Sequence, residues 1–129
     1  MNQIKSITVK NATYNVAQAS AVQQKKLMLL VGAKVAFNSA AGGIEKIDTP
    51  MLVGLLMSLP ESVFDEVAGI VLGKAFLAGS TTAITIDLFQ GSMVAYMNLV
   101  AEAIAYNLED FFTWLDSENA ARRAAQKAN

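Results

Sequence analysis

Apolar and polar positions change rhythm along the chain, and each rhythm predicts a different element. In residues 4–9, IKSITV, Ile4, Ser6 and Thr8 fall on one face and Lys5, Ile7 and Val9 on the other. Thr13, Tyr14 and Val16 follow after Lys10-Asn11-Ala12. β-Branched residues on either side of a central Asn predict a short hairpin over residues 1–17. From about Ala19 to Phe37 no proline intervenes, and Ala, Gln, Lys, Leu and Met dominate, which predicts a helix with Ser20 as its N-cap. Its first turns are polar (Gln23, Gln24, Lys25, Lys26), whereas its later turns, LMLLVGAKVAF, are apolar nearly all round. A helix apolar on every side must be wrapped by other elements or by another subunit.

Gly42-Gly43, with Asn38 and Ser39, predicts a loop. Asp48-Thr49-Pro50 predicts a sharp helix start, with Thr49 as N-cap and Pro50 at the first helical position. That helix ends at Leu59-Pro60, because proline disfavours helical geometry in the residue before it. Pro60 opens the next helix, PESVFDEVAGIVLGKAFL, which carries Val63, Val67, Ile70 and Lys74 along one side. Gly69 and Gly73 share a face of it, where another backbone is expected to approach closely. Gly79-Ser80-Thr81-Thr82 then breaks the pattern, and AITIDLF (83–89) is expected to be a short strand or an extended lead-in.

The longest periodic segment follows. Met93, Met97, Val100, Ile104, Leu108, Phe111 and Leu115 recur at three- and four-residue spacing, the apolar stripe of an amphipathic helix. Asn107 is a candidate cap that would break this helix and start a fresh one. The tail SENAARRAAQKAN has strong helix propensity but no large apolar residue, so fraying is expected. The expected architecture is mainly α, in a single domain over residues 1–129. It comprises a β-hairpin (1–17), a helical body (18–116) and a frayed helical tail (117–129).

Composition narrows what such a domain can do. Hydrophobic residues make up 53% and charged residues 16%, below the usual charged share of about 25%, so some apolar surface is expected to be left for a partner. A net charge of -1, with basic residues clustered only at Lys25-Lys26 and Arg122-Arg123, gives nucleic-acid binding little support. The longest apolar run, 27–37, includes Lys34 and falls short of the roughly 20 residues a membrane span needs. The expectation is a soluble cytoplasmic protein.

The chain has no histidine and no cysteine, which removes the imidazole base, the thiolate, the disulfide and the thiolate metal site together. Neither a G-x-G-x-x-G nor a P-loop pattern occurs. Glu61, Asp65 and Glu66 at a helix start match ordinary dipole-complementing acids. Glu109, Asp110, Asp116 and Glu118 match solvated charge around an apolar strip. No catalytic, cofactor or metal-binding residue is assigned, and an enzyme is not expected.

The segment ITIDLFQGSMVAYMNLVAEAIAYNLEDFFTWLD (84–116) carries an extended lead-in with Asp87, Phe89 and Gly91. It continues through an amphipathic helix with Tyr96 and Leu99 to Tyr106-Asn107 and Asp110-Phe111-Phe112. This resembles the small tail assembly chaperones of long-tailed bacteriophages, whose C-terminal regions often run toward an N-x-x-D-F-F type ending. The resemblance implies a non-enzymatic binding protein of virion assembly in the host cytoplasm. Such a protein binds the helical tape measure protein, helps recruit tail tube protein, self-associates, and is absent from the finished particle. Many of these proteins are paired with a longer, frameshifted product.

The expected partner-binding residues are Phe112, Trp114, Tyr106, Met93 and Met97. Aromatic anchors dominate interface energies when exposed, and methionine adapts to irregular partners. Each of these side chains is equally compatible with ordinary core filling, and Phe111 is expected to be core. Two other functions fit the same features: a small inhibitor or immunity-type protein that blocks a larger enzyme, and a homo-oligomeric structural protein of the particle.

Overall fold

The computed structural model describes residues 4–40 and 47–128, so the Gly42-Gly43 loop lies outside the described residues. The N-terminal alternation folds as expected into β1 (Ile4–Val9) and β2 (Ala12–Ala17), paired antiparallel with Ile7 opposite Tyr14 and Lys5 opposite Val16. The inner face buries Ile7, Val9, Tyr14 and Val16. On the outer face Ser6 Oγ donates to Asn15 Oδ1 at 2.8 Å, and the Thr8 and Thr13 hydroxyls lie 2.8 Å apart. The tight turn sets Lys10 at φ 56°, a left-handed conformation unfavourable for most side chains. Lys10 Nζ also donates to Ser92 Oγ at 2.8 Å, tying the turn to a distant part of the chain.

Ser20 caps α1 (Ala21–Leu27) by accepting from the Gln23 amide at 3.3 Å. The chain continues through a π-helical turn (Met28–Gly32) into α2 (Ala33–Ala40). Leu27, Val31 and Val35 are completely buried, and Ser39 continues the series at four-residue steps. In a pure α-helix each such step overshoots a full turn by about 40°. The wider π turn underwinds the helix and keeps this series on one face.

Helix α3 (Thr49–Met57) starts one residue earlier than the sequence suggested. Asp48, not Thr49, is the N-cap and accepts from the Met51 amide at 3.1 Å. Either side chain can cap, and Pro50 is harmless anywhere in a first turn, where amides have no helical partner. Helix α4 (Glu61–Leu72) follows Pro60 as expected but stops short of the predicted Leu77. Ala75–Leu77 instead form β3, which pairs antiparallel with β2 to give the sheet order β1-β2-β3. Gly69 and Gly73 each weaken the helix by about 1 kcal/mol, and the free edge of β2 offers hydrogen bonds in exchange.

Ile84 donates its amide to the Ala75 carbonyl, and Ile86–Phe89 make a 3-10 turn, so the lead-in is extended and then turned. Helix α5 (Met93–Asn107) is the central element: Leu99, Val100, Ala101, Ala103 and Ile104 are all fully buried. It lies between the inner face of the sheet and helices α3 and α4. Burial on several sides departs from the single stripe expected, because the alanines between the large residues also pack. The chain leaves α5 at Leu108, and α6 (Glu109–Ala128) runs to the end of the described residues. One core cluster joins residues from the sheet and from α1 through α6.

Candidate partner-binding surface

Asn107, singled out as a possible cap for the last helix, is buried and works backward instead. Its Oδ1 accepts from the Ala19 amide at 2.9 Å and from Gln24 Nε2 at 3.3 Å, and its Nδ2 donates to the Ala103 carbonyl at 2.9 Å. The start of α6 is set by the Phe112 amide bonding to the Leu108 carbonyl, with Glu109 and Asp110 at the positive end of the helix dipole. Asn107 thus fixes α1 against the α5–α6 junction.

Between them lies an open groove of about 640 Å³, lined by Gln18, Gln24, Tyr106, Asn107, Asp110 and Trp114. An adjoining hollow of about 330 Å³ adds Lys25, Met28 and Phe111. Tyr106 is nearly buried; burial raises the pKa of its phenol, and the Glu109 carboxylate adds to the rise. Lys5 Nζ sits 5.7 Å from the centre of the same ring.

The five sequence-predicted contact residues divide by exposure. Trp114 is 55% exposed and Met93 46%, while Met97 is half-buried. Tyr106 and Phe112 are buried within the chain. Phe111 is half-buried, with its ring 5.6 Å from that of Phe112 and 5.9 Å from that of Trp114. It also packs on the π turn: a β-carbon on Gly32 would lie 3.0 Å from Phe111 Cε2. Met93 lies far from Trp114 along the chain, beside exposed Val94 and close to the 3-10 turn that exposes Ile86 and Leu88.

Sequence reasoning missed several of the strongly exposed apolar side chains. Val22, Leu29 and Phe37 stand out from α1, the π turn and α2 at 73%, 64% and 76%. The signal was present, because a run apolar on every side needs a second covering, and among the described residues only one side is covered. Gly69 and Gly73 meet no neighbouring helix as expected; they line an open hollow with Ala83, Ile84 and Tyr96. Among the described residues no cluster of acids could hold a metal, and no helix is long and apolar enough to cross a membrane.

The geometry offers exposed aromatic and aliphatic side chains beside a groove lined with amides. Such a surface suits binding. A family model described as phage tail assembly chaperone protein matches residues 9–120. No curated protein and no solved structure matches the chain.

Proposed function

Because the chain belongs to the phage tail assembly chaperones, a non-enzymatic family acting in the infected host, we propose that it binds the tape measure protein in the host cytoplasm. It keeps that long helical protein soluble and helps tail tube protein assemble on it. The observation that supports this reading best is the exposed apolar set Val22, Leu29 and Phe37 on the first long helix, together with Trp114 at the α1–α6 groove. A partner helix laid against such a face buries apolar surface at roughly 25 cal/mol per Å² and gains from aromatic anchors. Trp114 and Met93 are the contact residues available from the set expected in the sequence. Tyr106 and Phe112 hold the groove in shape from behind.

Co-expression tests the reading directly. The cognate tape measure protein should be soluble with this chain, insoluble without it, and captured by it. Replacing Trp114 and Phe37 together by Ser should lower capture at least about tenfold while the circular dichroism stays native, since both positions are exposed. Soluble, uncaptured tape measure protein in the absence of this chain sinks the proposal. Mass spectrometry of purified particles adds a second check, because a chaperone should be missing and a structural component present.

A further inference from the structure

Charge is unevenly dealt along this chain. Lys5, Lys10, Lys25, Lys26 and Lys34 all precede the first carboxylate, Glu45, and every acid of the chain comes after that point. The exposed apolar lane of α1 and α2 lies inside this acid-free stretch. Lys25 stands three residues after Val22 and four before Leu29, and Lys34 stands three before Phe37, so each shares a helix face with its apolar neighbour. Lys26 is held by Glu66 at 2.5 Å. Lys25 and Lys34 have no carboxylate partner among the described residues. From Val22 to Phe37 the lane runs about 22 Å at helical rise, the length of four turns of a partner helix.

We propose that this lane docks an α-helix of another protein whose apolar stripe is flanked by Asp and Glu over about four turns. The inference rests on the helix-binding reading above and adds to it the partner's charge and its seat on α1–α2. Complementary charge argues for the acid flank: carboxylates beside the stripe meet Lys25 and Lys34, whereas a basic helix meets like charge at both positions. The opposite wall of the groove confines the position. Glu109 and Asp110, exposed at the start of α6, line the groove and repel an acidic helix from it, which seats the helix over Val22, Leu29 and Phe37; Asp110 also lines the hollow beside Lys25. A lipid surface fits less well, since anionic membranes are recognised by clusters of about 4–8 basic residues and this lane has two unneutralised lysines.

Three probes titrated against the intact chain decide the matter. Two are labelled helical peptides of about 20 residues with one shared Leu stripe, flanked by Glu in one and by Lys in the other. The third is a vesicle rich in phosphatidylserine. The Glu-flanked peptide should bind about tenfold tighter than the Lys-flanked one at low salt, with the gap closing as salt is raised. L29S with F37S should remove binding of both peptides, and K25E with K34E should reverse the preference. All four positions are exposed, so native circular dichroism is expected for each variant. Equal or stronger binding of the Lys-flanked peptide, indifference to K25E with K34E, or partition onto the vesicles in place of peptide binding would overturn the inference. Capture of the tape measure protein is scored separately. Equal capture by the parent and the K25E, K34E variant ends this inference and leaves the proposed function standing. Tight Glu-peptide binding without tape measure capture does the reverse.

Discussion

Asn107 spends its side chain on partners from two stretches of chain that meet only in the folded state: the Ala19 amide, the Gln24 carboxamide and the Ala103 carbonyl. Asn107→Ala leaves the part-buried Ala19 N–H without its acceptor, which costs about 1–3 kcal/mol, while the Ala103 carbonyl stays within the backbone ladder of α5. Urea unfolding should show a loss of roughly 1–3 kcal/mol, with Gln24→Ala costing less because its bond is longer and its side chain only partly buried. Two phenols set the alkaline limit. Burial raises the pKa of Tyr96, helped by Asp65, and burial raises that of Tyr106, helped by Glu109, so both titrate above the ordinary value of 10.0. The unfolded chain therefore releases these protons first. Their contribution to stability is intact below about pH 10 and is lost as pH climbs through the raised folded values. Tyr96→Phe should flatten that alkaline decline in a series of thermal melts, and an unchanged slope would remove Tyr96 from the account. At this scale the sequence was partly legible. Asn107 stood out as a candidate site of a helix break, but two of its partners, Ala19 and Gln24, lie more than eighty positions away and leave no mark on local spacing.

Among the elements, the π turn joins the two halves of the first long helix and packs against Phe111 of α6. Gly32 sits in that turn, with Phe111 Cε2 3.0 Å and Met28 Cγ 3.1 Å from the place a β-carbon would occupy. Gly32→Ala gains about 1 kcal/mol in helix propensity but crowds the ring, and overpacking of this kind costs about 1–3 kcal/mol. The variant should be less stable, and Phe111→Leu in the same chain should recover part of the loss. A double-mutant cycle with no coupling would show that the contact carries no energy. The hairpin, the capped start of α1 and the Pro60 boundary were all legible, because β-branching, a Ser cap and proline act within a few residues. The third strand was not. Ala75-Phe76-Leu77 continue an apolar helical pattern without interruption, and only the waiting edge of β2, sixty residues earlier, pulls them into the sheet. The break of the long apolar stripe into α5 and α6 was anticipated, while the burial of the middle of α5 on several sides was hidden by its alanines.

For the whole molecule, the decisive feature is a single cluster that draws on the hairpin and on every helix. Unfolding followed by Trp114 fluorescence and by far-ultraviolet circular dichroism should trace one coincident transition, and separate midpoints would divide the chain into independent units. Removing the hairpin takes Ile7, Val9, Tyr14 and Val16 out of that cluster, so the shortened chain should lack this transition altogether. The family was legible from the Tyr106–Phe112 region, whose aromatic and acidic pattern is also where α5 hands over to α6. The exposed lane on α1 and α2 was not, since apolar spacing alone does not tell which side of a helix its own chain will cover. The bond from Ala19 to Asn107 spans 88 positions, and this has a bearing on biosynthesis. At about 5–20 residues per second, Asn107 is added roughly 4 to 18 s after Ala19. Until then the first long helix has neither the bond at its head nor α6 along its flank. The groove therefore comes into being only after Asn107 and the start of α6 have been made, long after α1 has left the ribosome's active centre.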